Sequence, residues 1–200
     1  MTEPFITFYV NYYEGSRKYD PHLNISIFRP DGMKKLARRA MTRALQSMRK
    51  VAVSNTVREY FVSAAKVRSS ITLSAGDKGT FQVRGARLGL HNFRFTPGRH
   101  GRKGRKGTPL KAAVRRDKGL TPIPRAFRVK KWGNSLWQRL YDGEVESVPH
   151  GFPIKFLSTL AVPQMIGNNP DTIGAMKDAA EEMFSKVLKH EISRALGGAG

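Results

Sequence analysis

The sequence predicts an α+β fold: an antiparallel sheet packed by a long N-terminal amphipathic helix and a long C-terminal helix, with a long basic β-hairpin or loop. Three observations lead there. Residues 32–52 place Met33, Leu36, Ala37, Ala40, Met41, Ala44, Leu45, Met48 and Val51 at helical spacing. Ile173, Met176, Ala180, Met183, Phe184, Val187, Leu188, Ile192 and Ala195 repeat that spacing near the end of the chain. Between them lie short β-branched and aromatic runs, broken by Gly, Pro and Asn.

In chain order, Phe5–Val10 (FITFYV) reads as a strand, and Leu23, Ile25 and Ile27 alternate as a second. Pro30-Asp31-Gly32 breaks it, and Asp31 is placed to cap the first long helix. Ser54-Asn55-Thr56 reads as a turn, and Tyr60-Phe61-Val62 as either a short strand or part of a helix. Ser63 is an N-cap for a short helix carrying Ala64, Val67, Arg68 and Ile71. Asp77-Lys78-Gly79 is turn chemistry. Thr80–Arg84 and Leu88–Phe95 alternate as strands, and Pro109–Val114 resumes one. Residues 123–130 and 134–141 form a strand pair about Trp132-Gly133-Asn134, with Trp132 and Trp137 in core or edge packing rather than stacking on a ligand. Ile154, Phe156 and Leu157 add a short strand. Asn169-Pro170, an N-cap followed by proline at the first helical position, opens the last helix, and Gly197-Gly198 closes it.

Charge is the strongest compositional signal. The 200 residues hold 36 Lys/Arg against 15 Asp/Glu, a formal net charge of +21. Residues 31–131 hold 27 Lys/Arg against four acids, Asp31, Glu59, Asp77 and Asp117. The excess is therefore local, as on a surface that meets nucleic acid or an acidic protein. Two stretches concentrate it. Gly98–Gly107 has glycine at every third position and carries Arg99, Arg102, Lys103, Arg105 and Lys106. It reads either as a flexible linker or as an electrostatic arm that neutralises phosphates without reading sequence. The first long helix carries Lys34, Lys35, Arg38 and Arg39 opposite its apolar stripe, either as a solvated face or as a second contact area.

Catalysis finds little support. Cysteine is absent, which removes disulfides, thiolate metal sites and thiol nucleophiles. The five histidines are scattered without ligand or triad spacing. Glu181-Glu182 alone is weak for acid–base work. The glycine-rich stretch lacks the setting of a phosphate-binding loop. No metal carboxylate cluster marks a nuclease, so the expectation is a non-enzymatic protein without a cofactor. No apolar run reaches membrane-spanning length, and Met1–Phe5 lacks the basic-then-apolar order of a signal peptide.

Composition alone fits a basic RNA- or DNA-binding protein of ribosomal type. The order of short motifs points elsewhere. Val57-Arg58-Glu59-Tyr60 follows the basic helix, and Lys66–Ile71 comes next. Pro124-Arg125-Ala126-Phe127, Trp137-Gln138-Arg139, Pro153-Ile154-Lys155-Phe156 and Val162-Pro163-Gln164-Met165 follow before the terminal helix. Over residues 31–196 the chain resembles the minor tail protein Z, or tail completion, family of long-tailed bacteriophages. The resemblance implies a structural virion protein at the head-proximal tail or neck, assembled in the host cytoplasm. It implies support of head–tail joining and of DNA passage or retention. It also implies a homo-oligomeric, hexameric ring that touches tail terminator, tail tube or head-connector proteins and double-stranded DNA in the lumen. On this reading residues 1–30 are an N-terminal strand arm or extension, placed to pair with a neighbouring subunit's sheet edge. Residues 31–200 are the tail-completion domain, with 96–119 as its basic loop.

Overall fold

The computed structural model describes residues 5–10, 30–75, 79–97, 108–140 and 153–197. It is a mixed helix and antiparallel-sheet fold with a long helix towards each end, as the periodicity predicted. The expected strand at 23–28, the Asp77-Lys78 turn and the Gly98–Gly107 stretch lie outside the described residues.

Helix α1 (Pro30–Glu59) is longer than the periodic stretch. It starts before Asp31, which is inside the helix rather than its cap, and it runs through the expected Ser54-Asn55-Thr56 turn. The hydroxyl of Thr56 donates to the Ala52 carbonyl at 2.7 Å, so the side chain is satisfied within the helix and can be buried. Ala37, Ala40, Met41, Ala44, Leu45, Met48, Ala52 and Val53 are its buried face.

Helix α4 (Pro170–Gly197) lies antiparallel along α1. Arg39 pairs with Glu191 at one end, and Glu59 accepts from Asn169 at the other. The alanines of α1 leave room for this approach, and Met176 and Ala180 of α4 are fully buried. Asn169 caps α4 as expected, its Oδ1 accepting from the Thr172 amide at 3.0 Å.

Three three-stranded antiparallel sheets complete the fold. The first has the order β1-β3-β2, built from β1 (Phe5–Val10), β2 (Ile71–Ala75) and β3 (Gly79–Arg84). β1 pairs with β3 of its own chain, with Phe8 opposite Phe81 in register. α2 (Ala64–Ser69) precedes β2, and Ser63 Oγ accepts from the Lys66 amide. Ile71, expected on that short helix, starts β2 instead, with its register partner Val83 fully buried. Phe81 and Val83 face the core against α1.

The second sheet joins β4 (Arg94–Thr96), β5 (Leu110–Ala113) and β6 (Thr121–Ile123). The alternation of Leu88–Phe95 does not produce one strand. Leu88 and Leu90 instead donate their amides to the carbonyls of Leu160 and Leu157, and Leu90–Asn92 forms a 3-10 turn. The third sheet joins β7 (Ala126–Val129), β8 (Ser135–Arg139) and β9 (Ile154–Phe156). The expected run 123–130 is split between β6 and β7, since Arg125 takes φ +57° after Pro124. The expected β7–β8 pairing about Gly133 is present, with Gly133 at φ +65° and Asn134 at φ +62°. A short helix, α3 (Val162–Gly167), was not legible as one. The Gln164 side chain accepts from the Ala161 amide at its start, and Val162, Met165 and Ile166 fill the core.

Candidate functional site

Antiparallel pairing fixes the stem of the basic loop. Thr96 stands opposite Lys111, and Arg94 opposite Ala113, so the connection leaves and returns on adjacent strands. Strand alternation turns Phe95, Leu110 and Ala112 inward and Arg94, Thr96 and Lys111 to the exposed side. The five loop cations Arg99, Arg102, Lys103, Arg105 and Lys106 lie outside the described residues.

Beside the stem, the ring of Phe61 lies between two guanidinium groups, Arg94 at 5.4 Å and Arg116 at 4.7 Å from its centroid. Each such contact contributes about 0.5–1 kcal/mol at an exposed position. Arg116 is also anchored by its backbone, donating to the Glu59 carbonyl at 2.8 Å, and by Nε, donating to the Val57 carbonyl at 2.8 Å. Phe61 donates its amide to the Val114 carbonyl. The end of α1 and the strand after the loop are thus sewn together, with the Tyr60–Arg115 bridge in the seam.

Arg115 is already neutralised. Its guanidinium pairs with Glu59 at 3.0 Å and with Asp117 at 2.9 Å. The hydrogen bond from Arg115 holds the Asp117 carboxyl below its ordinary value, and the same bond raises Arg115. Burial, then the Glu59 charge, raises the Tyr60 phenol above 10.0. The exposed cations at the stem are therefore Arg94, Lys111 and Arg116. Contiguity in sequence singled out none of them, because Phe61 gathers residues from three separate segments.

The second predicted group sits at the other end of α1. Lys34 and Lys35 are exposed. Arg38 and Arg39 are also exposed but engaged: Arg38 Nε donates to the Ala75 carbonyl at 2.9 Å, and Arg39 donates to Glu191 at 3.0 Å. Lys35, Arg38, Arg39 and Thr42 line an open depression of about 290 Å³. Arg38 and Val57 are 19 residues apart on one helix, which at 1.5 Å per residue is roughly 30 Å. That is several times the roughly 8–10 Å over which salt screens exposed charges. The structure thus keeps the α1 cluster and the loop stem as two independent cationic areas.

A third surface is aromatic. Register places Phe127, Trp137 and Phe156 directly opposite one another across β7, β8 and β9. Trp132 meets Trp137 edge-on at 5.2 Å, and Trp137 meets Phe156 edge-on at 5.3 Å. Trp137 is half-buried, its indole N–H donating to Ser135 Oγ at 2.8 Å. Trp132 is 53% exposed and Phe156 37%. Trp137 sits on the central strand of this sheet and Trp132 in the turn that leads into it, and Trp132 keeps half its surface open.

Among the described residues no cluster of His, Asp and Glu could hold a metal ion, and no helix is long and apolar enough to cross a membrane. Of the described histidines, His91 has its Nδ1 buried without a hydrogen-bond partner, while its ring lies 6.3 Å from that of Phe156. Comparison with family models, with curated proteins and with solved structures gave no match.

Proposed function

We propose that this chain is a non-enzymatic structural protein of a bacteriophage virion that completes the head-proximal end of the tail. In that role it supports head–tail joining and the passage or retention of DNA. The observation that carries the reading is the order of the short motifs from Val57-Arg58-Glu59-Tyr60 to Val162-Pro163-Gln164-Met165. The last four fall on, or run directly into, β7, β8, β9 and α3. The proposal includes a homohexameric ring whose basic areas meet lumenal DNA or acidic faces of the adjoining tail and connector proteins. The α1 cluster and the loop stem lie roughly 30 Å apart along α1, so one subunit could touch two such partners.

The test is deletion of the coding sequence from the phage that carries it. Filled heads and unjoined tails should accumulate, and the purified protein should restore joining when added to the extract. Intact infectious particles from the deletion strain would overturn the proposal. Tight binding of the isolated monomer to ribosomal RNA would favour the ribosomal-type alternative instead.

A further inference from the structure

Two surfaces of this chain have opposite charge, and each lacks a partner among the described residues. The first is the outer face of the third sheet. Trp132, Trp137 and Phe156 form its apolar centre, and the Arg139 guanidinium lies 5.5 Å from the centroid of Phe127 beside them. Lys130 and Lys131 are exposed next to Trp132. The described residues from Lys118 to Pro170 include no carboxylate, and the three acids of that span, Asp142, Glu144 and Glu146, lie outside the described residues. An exposed tryptophan with arginine at the centre and lysine at the rim is the composition of a protein-binding patch.

The second surface is the first half of α4. Asp171, Asp178 and Glu182 are all exposed, and at 100° per residue they fall within an arc of about 40°. Glu181, also exposed, borders the stripe. The ion pairs of the described residues involve Glu59, Asp117 and Glu191, and none of these four acids. Gly174 lies next to the stripe, and a Cβ there would meet nothing within 4 Å, so no neighbouring side chain crowds the stripe on that side.

We infer that these two faces bind each other between copies of this chain: the aromatic, cationic face of one copy against the acidic α4 stripe of the next. Charge complementarity selects this occupant. The chain as a whole is strongly basic, so a second copy could approach the sheet face only through a locally acidic surface, and α4 supplies one. Because the two faces differ, the contact is heterologous and runs head to tail, closing into a ring or extending into a filament according to its rotation. The inference names the contact surfaces of the ring proposed above. It depends on that reading for ring closure alone.

The experiment is sedimentation velocity of the full-length protein over a concentration and salt series. Wild type should self-associate, more weakly as salt rises. The double reversal Lys130→Glu/Lys131→Glu and the double reversal Asp178→Lys/Glu182→Lys should each weaken association by about tenfold or more. An equimolar mixture of the two variants should restore it, since each then offers the other an intact or a doubly reversed contact. Trp132→Ala should weaken association without changing charge. All these side chains are exposed, and an unchanged circular dichroism spectrum will show that the fold is kept. A monomeric wild type, reversals without effect, or a mixture that fails to associate would overturn the inference. So would loss of oligothymidylate binding in Trp132→Ala with self-association intact, which would assign the face to single-stranded DNA. Self-association that obeys the charge swaps, in a protein whose deletion leaves virions intact, would retain this contact and remove only the tail function.

Discussion

Glu59 in the last turn of α1 accepts a hydrogen bond from the Asn169 side chain at the start of α4, 2.8 Å away. One carboxylate oxygen thus holds two helices together, and the other holds Arg115. Asn169 uses its remaining amide atom, the oxygen, to cap α4. Glu59→Ala is expected to cost about 1.5–3 kcal/mol, the range for hydrogen bonds to a charged group. For a chain of this size that lowers the thermal midpoint by about 3–12 °C, read by circular dichroism. Asn169→Asp should keep the cap yet set a second carboxylate against Glu59, and so melt below wild type at neutral pH.

Tyr60 gives an alkaline prediction whose sign is fixed. Its phenol is raised in the folded state from 10.0, chiefly by burial. A group raised by folding contributes stability that is full below its unfolded pKa and lost as pH climbs through the folded value. Stability should therefore be insensitive to Tyr60 up to about pH 10 and fall above it. Urea midpoints measured between pH 8 and 12 will show this fall in wild type. In Tyr60→Phe it should be smaller.

The basic loop predicts a salt slope. Replacing Arg102, Lys103, Arg105 and Lys106 by Ser removes four charges. If all four meet phosphates, the slope of log K against log salt for duplex DNA should decrease by about 3–4. The same variant should impair head–tail joining and DNA retention in the phage assay. An unchanged slope with unchanged infectivity would end the electrostatic role of the loop and leave Arg94, Lys111 and Arg116 at its stem as the contact.

Gly89 predicts a packing effect. A Cβ at this position would come within 2.6 Å of both the His91 and Phe156 rings. Its φ of −61° is open to any residue, so the need for glycine is space alone. Gly89→Ala should force the two rings apart and destabilise the protein by about 1–3 kcal/mol, the usual range for overpacking. Gly119→Ala, with nothing within 4 Å, is the control and should be nearly silent.

The two long helices were legible because each carries its apolar residues on one face over many turns, and because Asn169-Pro170 announces a start. The end of α1 was not. Ser54-Asn55-Thr56 has turn chemistry, and only the burial of Val53, Thr56 and Tyr60 against distant segments overrides it. Alternation misled at Leu88–Phe95, where the backbone bonds to 157–160 instead of to a regular strand partner. The cationic stretches were visible as density. Which cations are spent internally was not, since Arg39–Glu191 and Arg115–Glu59 join residues 152 and 56 positions apart. The aromatic row was equally hidden, because Phe127, Trp137 and Phe156 become neighbours only through strand register.

The edge-on contact of Trp132 with Trp137 has a spectroscopic consequence. These are the only two tryptophans in the chain, and they stand 5.2 Å apart, Trp132 in the turn between β7 and β8 and Trp137 on β8. The intrinsic indole emission of the protein therefore arises from a single small region, with one ring wet and the other half-shielded. Any molecule that covers that region should shift the emission to shorter wavelength, whereas events at the loop stem or along α1 should leave it unchanged. The chain carries its own unlabelled optical probe, and that probe separates occupancy of the third sheet from everything else the protein binds.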